Sequence, residues 1–472
     1  MRYLKASKPL VAMVLAALLA ACTAHYTVNN NIATIEPVKR YSLQYQAGSE
    51  KSDELLLILT FSGGGTRAAA LSYGVLQTLA NTQITIGGQR RRLLDEVDLI
   101  SSVSGGSFTS AYYGLFGDRI FEDFETRFLK RNVEGDLALG LISPKNWPKL
   151  MSSYYARSDF AADFFDDILF EKKTFADFKL PQLPLIAINA TDIALGTQFT
   201  FLGFQFAPIC TDLSSYPVSR AVTASASVPG PFSSIVLKNY AGTCDYQLPH
   251  WAANALHEGP TTTRRYQDAK TLSSYMDVEK YTYIHLFDGG LSDNLGVRFI
   301  LNYTARTENI QQQMAAMNLQ KTKKLAIIAV NARNRMATDF AKERQSAPII
   351  DTIGLISSIP LDRYSFDTMD LLRRNIKGWE DAVTKIRCKN LKIANSHKES
   401  GTTSPGPDCA FKSYLIEVSL DQTPTESERQ KLLSLPTSFY LKPDDIDRLR
   451  TAARDLLSSS AEFQHLVLDL QH

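Results

Sequence analysis

The sequence predicts a three-layer α/β/α domain, with a mainly parallel central sheet between two layers of helices, followed by a C-terminal α-rich extension. Short apolar runs alternate with helical segments from Leu55 onward, which is typical of parallel sheets. The chain has 472 residues, 44% of them hydrophobic, so it can bury a large core. Its net charge of +2 is nearly balanced and no basic stripe stands out, so we expect no nucleic-acid partner.

The runs that predict strands are short, apolar and bounded by turn residues. They are Leu55–Phe61, Asp98–Ser102, Leu183–Ala190, Phe199–Leu202, Tyr283–Asp288 and Lys324–Asn331, with Tyr414–Leu420 as a late strand. Further on, Pro443 to Ser459 predicts a helix, because a proline in its first turn is followed by acidic residues.

A glycine-rich loop follows the first predicted strand. Gly63, Gly64 and Gly65 lead through Arg67 into a helical segment that starts at Ala68. Successive glycines adopt positive φ easily and present backbone N–H groups without obstruction from side chains. The loop is therefore a candidate site for stabilising an anion.

A candidate nucleophile follows the second predicted strand. Ser104 stands in a short turn before Gly105 and Gly106, where a helix begins. A sharp strand-to-helix turn exposes such a serine at the top of a sheet, and small neighbours relieve crowding in the turn. Ser102 occupies the position that is glycine in the usual Gly-x-Ser-x-Gly pattern, so the match to a nucleophile elbow is incomplete.

Two other interpretations of these loops remain open. The spacing of Gly63, Gly65 and Ala68 also fits a dinucleotide-binding fingerprint. That fold needs an acidic residue about 20 positions further on, and no acid occurs there before Asp95. The second interpretation is structural, with a glycine turn and a serine that only caps a helix. No Gly-Lys-Ser or Gly-Lys-Thr follows the glycines, so the phosphate-binding P-loop pattern is absent.

A candidate carboxylate lies far downstream. The strand Tyr283–Asp288 ends in Asp288, which is followed by Gly289 and Gly290. With these motifs in this order, the sequence resembles the patatin-like phospholipase family, in its bacterial lipoprotein branch. The resemblance covers roughly residues 55–331. It includes two intermediate blocks, Asn189-Ala190-Thr191-Asp192 with Gly196, and Arg220-Ala221 through Ser225, Pro229 and Phe232.

The resemblance implies a Ser–Asp dyad, with Ser104 as the nucleophile and Asp288 as its partner. It implies an oxyanion hole from Gly63, Gly64 and Gly65, with Arg67 as the basic residue that closes the loop. The implied substrate is a phospholipid or another acyl-ester lipid, and no cofactor or metal is expected. Asp293 is expected to be a loop or helix-cap residue.

The N-terminus has the pattern of an export signal. A basic start is followed by the apolar run from Leu10 to Ala21, which is too short to span a bilayer comfortably. The run ends at Cys22 in a sequence that resembles a bacterial lipobox, so Cys22 is the expected lipidation site. Because Thr23 rather than aspartate follows, we expect a lipid anchor in the cell envelope, at the outer membrane. An ordinary secretory signal is the alternative.

These observations divide the chain into four segments. We expect a lipoprotein signal peptide at residues 1–21, a tether at 22–53, a catalytic domain at 54–335, and a C-terminal extension at 336–472 that packs on the catalytic domain. The aromatic-rich insertion 116–184 predicts buried core or a cap over an acyl-binding cleft. The polar insertion 237–281 looks irregular and predicts a lid, and the apolar stretch 347–361 predicts a buried helix or a membrane-docking segment.

Four cysteines besides Cys22 are an even number for an exported protein. The sequence-local pairing joins Cys210 with Cys244 and Cys388 with Cys409. Buried free thiols are the alternative.

The sequence thus predicts a serine lipid acyl hydrolase of the phospholipase A or lysophospholipase type. One alternative is a Ser-Asp-His esterase, for which the histidines after Asp288 are His397, His465 and His472. The other is an envelope scaffold that has kept the fold and lost the chemistry. The sequence does not choose between hydrolysis and acyl transfer.

Overall fold

A computed structural model describes residues 28–42, 51–152, 155–306, 312, 321–334, 349–396 and 409–471. The predicted signal peptide 1–21, Cys22, His397 and His472 lie outside these residues. Short 3-10 and π-helical turns connect several of the elements named below.

A mixed, mainly parallel sheet forms the centre of the protein. In the described residues it has eight strands in the order β10-β9-β1-β4-β5-β8-β7, with β6 paired to β5. The first five in this order run parallel, and β8 pairs antiparallel with both β5 and β7. A separate hairpin joins β2 and β3. The strands are β1 (Leu55–Phe61), β2 (Gln83–Ile86), β3 (Gln89–Arg92), β4 (Val97–Val103), β5 (Leu185–Asp192), β6 (Thr197–Thr200), β7 (Ile235–Lys238), β8 (Tyr283–Asp288), β9 (Lys324–Asn331) and β10 (Lys412–Ser419).

Helices cover both faces of this sheet, as predicted for a three-layer fold. They are α1 (Glu36–Lys39), α2 (Gly65–Asn81), α3 (Gly105–Phe116), α4 (Ile120–Phe124), α5 (Val133–Ile142), α6 (Trp147–Leu150), α7 (Arg157–Phe165), α8 (Gly203–Phe206), α9 (Val218–Ser225), α10 (His250–His257), α11 (Arg264–Met276), α12 (Gly290–Asp293), α13 (Arg298–Ala305), α14 (Ile349–Ser396), α15 (Glu426–Leu433), α16 (Pro443–Ser459) and α17 (Ala461–Asp469).

Neighbouring residues of β4 show how the two layers are divided. Ser102 accepts a hydrogen bond from Ser110 of α3 (2.6 Å), whereas Ser101 donates to the carbonyl oxygen of Gly296, between α12 and α13 (2.6 Å). Because successive side chains of a strand point to opposite faces, α3 lies on one face and the α12–α13 region lies on the other. The dyad candidates stand at the sheet edge between these layers.

The C-terminal extension is α-rich, and it also completes the sheet. Its strand β10 pairs in parallel with β9 over the full length of both strands. Helix α16 packs closely on α2, since a Cβ atom added at Gly74 would lie 2.7 Å from the Cβ atom of Ala453. In this way the extension shares the core of the preceding domain.

Residues 28–42 differ from the predicted tether. Val38 and Tyr41 are buried in the main core, and the Tyr41 carbonyl oxygen accepts a hydrogen bond from the Gly203 N–H (3.0 Å). The polar composition around them concealed these two apolar anchors. This part of the segment therefore belongs to the folded domain.

The aromatic-rich insertion forms core. Phe128 stacks on Phe108 of α3 with ring centroids 4.5 Å apart, and Phe165 meets Phe108 edge-on at 4.7 Å. Phe439, from the loop between α15 and α16, joins the same cluster at 5.6 Å from Phe108. The extension thus contributes a ring beside α3, the helix that follows Ser104.

The other two insertions are more regular than the sequence suggests. The prediction of an irregular segment at 237–281 is wrong, because this segment holds the end of β7 and the helices α10 and α11, which pack together. The apolar stretch 347–361 runs into α14, whose side chains up to residue 362 lie outside the described part. Within the part of the chain that is described, no helix has the length and apolar character to cross a bilayer.

Candidate active site

Ser104 occupies a strained turn between a buried strand and a helix. It follows β4 directly, precedes α3, and has φ 49° and ψ −121°. A side chain in this region of φ/ψ space costs about 1–3 kcal/mol, so such residues persist only where the surroundings fix them. The residue is 6% exposed. A serine at a tight strand-to-helix turn presents its Oγ at the top of the sheet.

The small residues around Ser104 let the two loops approach each other. A Cβ atom at Gly105 would lie 2.0 Å from the carbonyl oxygen of Gly65, and one at Gly106 would lie 2.7 Å from that of Ser62. Both distances are too short for any larger residue. Ser102 lies within β4, paired with Phe61, and has no positive φ. A serine is therefore compatible with the backbone here, although the usual pattern has glycine.

Asp288 stands at the end of β8, on the other side of the elbow. Its Oδ1 accepts a hydrogen bond from the Gly290 N–H (2.7 Å), and the Ser104 hydroxyl lies close enough to the carboxyl group to lower its pKa. Burial raises the pKa of Asp288 from 3.8 to about 6, while Gly290 and Ser104 act in the opposite direction. The structure thus brings the two dyad candidates together and makes the carboxylate more basic than in water.

Ser225, at the end of α9, connects the two halves of the site. Its Oγ accepts a hydrogen bond from the Ser104 N–H (2.8 Å) and donates to the carbonyl oxygen of Asn189 (2.6 Å). Its own carbonyl oxygen accepts from the Gly289 N–H (3.0 Å). In the sequence, Ser225 lies in a block that resembles the family and has no predicted role. Here it positions both the elbow and the loop after Asp288.

The glycine loop lies against the elbow, but its three N–H groups are not equivalent. The Gly63 N–H donates to the carbonyl oxygen of Asn294 (2.9 Å), so it is occupied and differs from its predicted role. Gly64 (φ 138°) and Gly65 (φ 59°) adopt conformations that favour glycine. Within the described residues, the N–H groups of Gly64, Gly65 and Gly105 donate to no other residue. These three groups are therefore the better candidates for oxyanion donors.

Arg67 fixes the glycine loop from behind. Its buried guanidinium donates to the carbonyl oxygen of Ala332 (2.9 Å), to that of Leu435 (2.5 Å), and to the Thr437 Oγ1 (3.0 Å). These acceptors belong to the end of β9 and to the C-terminal extension. Arg67 therefore links the glycine loop to these two segments of the chain.

Replacing Arg67 with methionine is expected to lower the free energy of unfolding by about 3 kcal/mol, because it leaves buried carbonyl groups without donors. Arg67→Lys should recover part of this loss, since lysine keeps the charge but lacks the planar fork. Urea denaturation of the three proteins measures the effect. If Arg67→Met matched the wild type in stability, this anchoring role would be incorrect.

The described histidines lie apart from the dyad. His285 shares a strand with Asp288 and contacts the Ser234 hydroxyl through Nδ1 (3.2 Å), while His465 is exposed on α17. Burial, Gly290 and Ser104 account for the pKa of Asp288, with no histidine of the described residues among the causes. Asp293 accepts hydrogen bonds from the N–H groups of Leu295 and Arg298, as expected for a cap.

The four described cysteines form two disulfides. Cys210 is bonded to Cys244 and Cys388 to Cys409, which are the sequence-local pairs. Among the described residues, no three His, Cys, Asp or Glu side chains form a group that could hold a metal ion.

The chain is similar to several solved structures and matches one family model. The solved structures that resemble the chain include human GIVD cytosolic phospholipase A2 (12% identity, TM-score 0.43) and its complex with methyl gamma-linolenyl fluorophosphonate (12% identity, TM-score 0.40). The alignments cover 97% and 98% of this chain but only 66% and 65% of those chains. No curated protein matches significantly. A family model described as patatin-like phospholipase matches residues 59–301, which is more than half of the sequence. The chain belongs to the patatin-like phospholipase family.

Proposed function

We propose that this protein is a serine lipid acyl hydrolase of the phospholipase A or lysophospholipase type, with Ser104 as nucleophile and Asp288 as base. Family membership supports hydrolysis of lipid esters at a coarse level. The observation that carries the proposal is the strained Ser104, whose hydroxyl lies beside the buried Asp288 carboxyl group of raised pKa. A dyad of this kind has the nucleophile and the base that acyl transfer requires.

The first half-reaction forms an acyl-enzyme. The Asp288 carboxylate takes the proton of the Ser104 hydroxyl as Oγ attacks the ester carbonyl carbon. The N–H groups of Gly64, Gly65 and Gly105 hold the resulting oxyanion, and the N-terminal dipole of α3 adds to their effect. Collapse of this intermediate breaks the ester bond, and the leaving alkoxide takes the proton back from Asp288.

The second half-reaction releases the fatty acid. Asp288 takes a proton from a water molecule, whose oxygen attacks the acyl carbonyl. The same N–H groups hold the second oxyanion. When it collapses, Ser104 leaves with the proton from Asp288, and the free enzyme is restored.

The raised pKa of Asp288 makes this proton transfer more favourable. An ordinary aspartate, with a pKa near 3.8, is a poor base toward a hydroxyl group. At a pKa of about 6, the carboxylate is roughly a hundredfold more basic and is still ionised at neutral pH. Burial is the main cause, so the dry setting of the site is part of the chemistry.

The rate is expected to rise with pH through about 6. Because the base must be ionised, kcat/KM should fall about tenfold for each pH unit below the pKa of Asp288 and level off above it. A pH profile of fatty-acid release from a phospholipid measures this. A profile that stays flat down to pH 4.5 would argue against Asp288 as the base.

We further propose that a lipid on Cys22 anchors the protein to the cell envelope, at the outer membrane, where its substrates lie. The basis is the resemblance of residues 19–22 to a lipobox. Changing Cys22 to serine should move the protein from the membrane fraction to the soluble fraction of lysed cells. If the distribution of the variant matches that of the wild type, the anchor proposal is wrong.

The direct test of the activity is fatty-acid release from mixed phospholipids by the purified protein, together with labelling by a fluorophosphonate. Release combined with labelling would support the hydrolase. A well-folded protein that does neither would favour the scaffold. Collapse of activity on changing His397 or His465 to alanine would favour a Ser-Asp-His mechanism instead.

A further inference from the structure

A cavity of about 710 Å³ lies beside the loop that follows Asp288, on the face of the sheet that carries α12 and α13. Its walls come from β6 and from the helices α8, α11, α12, α13 and α14. We call it the arginine cavity, because Arg264, Arg298 and Arg306 all line it. Its volume lies in the range of pockets that hold small molecules.

Positive charge exceeds negative charge among the residues that line this cavity. Arg306 pairs with Asp268 (3.1 Å). Arg264, in contrast, donates to the neutral amide oxygen of Asn302 (2.9 Å), and Arg298 donates to the Thr368 hydroxyl (3.0 Å). Among the described residues, no carboxylate lies within ion-pairing distance of Arg264 or Arg298. In the described part of the chain, two guanidinium groups of the cavity wall therefore have polar partners but no ion-paired carboxylate.

Arg264 also disfavours the charge of Arg298. The pKa of Arg298 is lowered by burial first, and Arg264 lowers it further, while Tyr364, Asp293 and Asp367 act in the opposite direction. Arg298 lies over the Tyr364 ring, 3.4 Å from its centroid. An anion between the two guanidinium groups would relieve both the repulsion and the cost of burial.

The cavity adjoins the catalytic motif. Leu291 and Ser292, which form part of its wall, follow Asp288 by three and four residues. The Ser292 hydroxyl contacts the Thr191 Oγ1 (2.9 Å), which also donates to the carbonyl oxygen of Asp288 (2.8 Å). A ligand in the cavity would therefore lie next to the loop that holds the proposed base.

We propose that the arginine cavity binds the phosphate of the lipid head group during hydrolysis, with Arg264 and Arg298 holding its oxygens. Guanidinium groups suit this ligand, because their paired N–H donors match the oxygens of a phosphate. The aromatic cluster around Phe108 lies on the opposite face of the sheet. A lipid with its phosphate in the cavity would therefore have its charged end away from that apolar layer. This proposal rests on the proposed function.

A binding experiment tests the site without relying on catalysis. The purified protein is titrated with glycerol 3-phosphate and, separately, with inorganic phosphate at low salt, using calorimetry. We expect saturable binding of glycerol 3-phosphate that Arg264→Gln and Arg298→Gln each weaken at least about tenfold. Arg298→Lys should lie between the wild type and Arg298→Gln. The matched control is Arg454→Gln, since Arg454 is exposed on α16, and it should bind like the wild type.

The two phosphates distinguish the possible sources of the ligand. Tighter binding of glycerol 3-phosphate than of inorganic phosphate supports recognition of a head group. Equal binding of both would overturn the head-group assignment and leave a site for free phosphate. If neither binds, or if all the variants bind alike, the arginine cavity is not a phosphate site.

A kinetic comparison then connects the cavity to the reaction. Hydrolysis of phosphatidylglycerol is measured beside hydrolysis of diacylglycerol, which has ester-linked chains and no phosphate. We expect Arg264→Gln to lower kcat/KM about tenfold or more for phosphatidylglycerol, with little change for diacylglycerol. An equal loss for both lipids would overturn the head-group role. If the wild type hydrolyses neither lipid, the proposed function fails, and the titrations still decide whether the cavity binds phosphate.

Discussion

Replacing Ser104 with alanine is expected to abolish fatty-acid release and labelling by a fluorophosphonate. The hydroxyl group that would form the acyl-enzyme is then gone, and losing a nucleophile of this kind lowers the rate by roughly a thousandfold or more. Labelling of the wild type, Ser104→Ala and Ser434→Ala measures the effect, since Ser434 is an exposed serine far along the chain. Full labelling of Ser104→Ala would identify a different nucleophile and refute the dyad.

A second substitution at the same position tests the strain in the elbow. Ser104→Gly should be as inactive as Ser104→Ala, but more stable than it by about 1 kcal/mol or more. The reason is that glycine adopts the observed φ of 49° without a steric cost, whereas alanine does not. Urea denaturation of the two variants measures the difference. Equal stability would mean that the turn stores no strain for presenting the nucleophile.

The sequence predicts the elements of the sheet centre well. The observed bounds of Leu55–Phe61, Tyr283–Asp288 and Lys324–Asn331 equal the predicted ones. Buried strands of this kind are continuous apolar runs with polar or glycine residues at both ends, so their limits are visible in the sequence. The helix Pro443–Ser459 was also predicted with its observed bounds, because its proline and acidic residues mark the first turn.

Long-range contacts explain most of what the sequence does not reveal. Arg67 reaches acceptors 265 and 368 residues away, and β10 takes its place in the sheet by pairing with β9. The strand Ile235–Lys238 has four residues and no distinctive pattern of its own. Nothing local to these segments identifies their partners, so only the folded chain does so.

The same limit applies inside the candidate site. Three neighbouring glycines look alike in the sequence, yet Gly63 gives its N–H to Asn294 while Gly64 and Gly65 take positive φ. The carbonyl oxygen of Asn294 comes from a turn more than 200 residues downstream. The order of the motifs in the sequence predicts which loops meet. Which backbone N–H groups remain available as donors depends on how those loops pack.

Replacing Asp288 with asparagine is expected to remove activity and to stabilise the protein at neutral pH. Asparagine keeps the shape of the side chain but cannot take the proton from Ser104, so fatty-acid release should be lost while the elbow remains intact. The stability gain follows from burial, because ionised Asp288 is disfavoured inside the protein and neutral asparagine is not. A substitution at a residue with only a structural role would rarely remove activity and also raise stability.

The pH dependence of this gain gives the second half of the test. The pKa of Asp288 is about 6 in the folded protein, whereas the ordinary value for an aspartate, which applies in the unfolded chain, is 3.8. Between these values the folded state binds more protons than the unfolded state, so the wild type loses stability as the pH rises. This loss in the free energy of unfolding reaches about 2–3 kcal/mol above pH 6 and is absent below pH 4.

Urea denaturation at pH 4 and pH 8 therefore compares wild type and Asp288→Asn directly. We expect the variant to be more stable by about 2–3 kcal/mol at pH 8, and nearly equal to the wild type at pH 4. The exposed residue Asp455 provides the control, since Asp455→Asn should change stability by less than about 0.5 kcal/mol at either pH. An Asp288→Asn variant that is less stable at pH 8 would show that the ionised carboxylate supports the fold, and that its burial does not serve to make it a base.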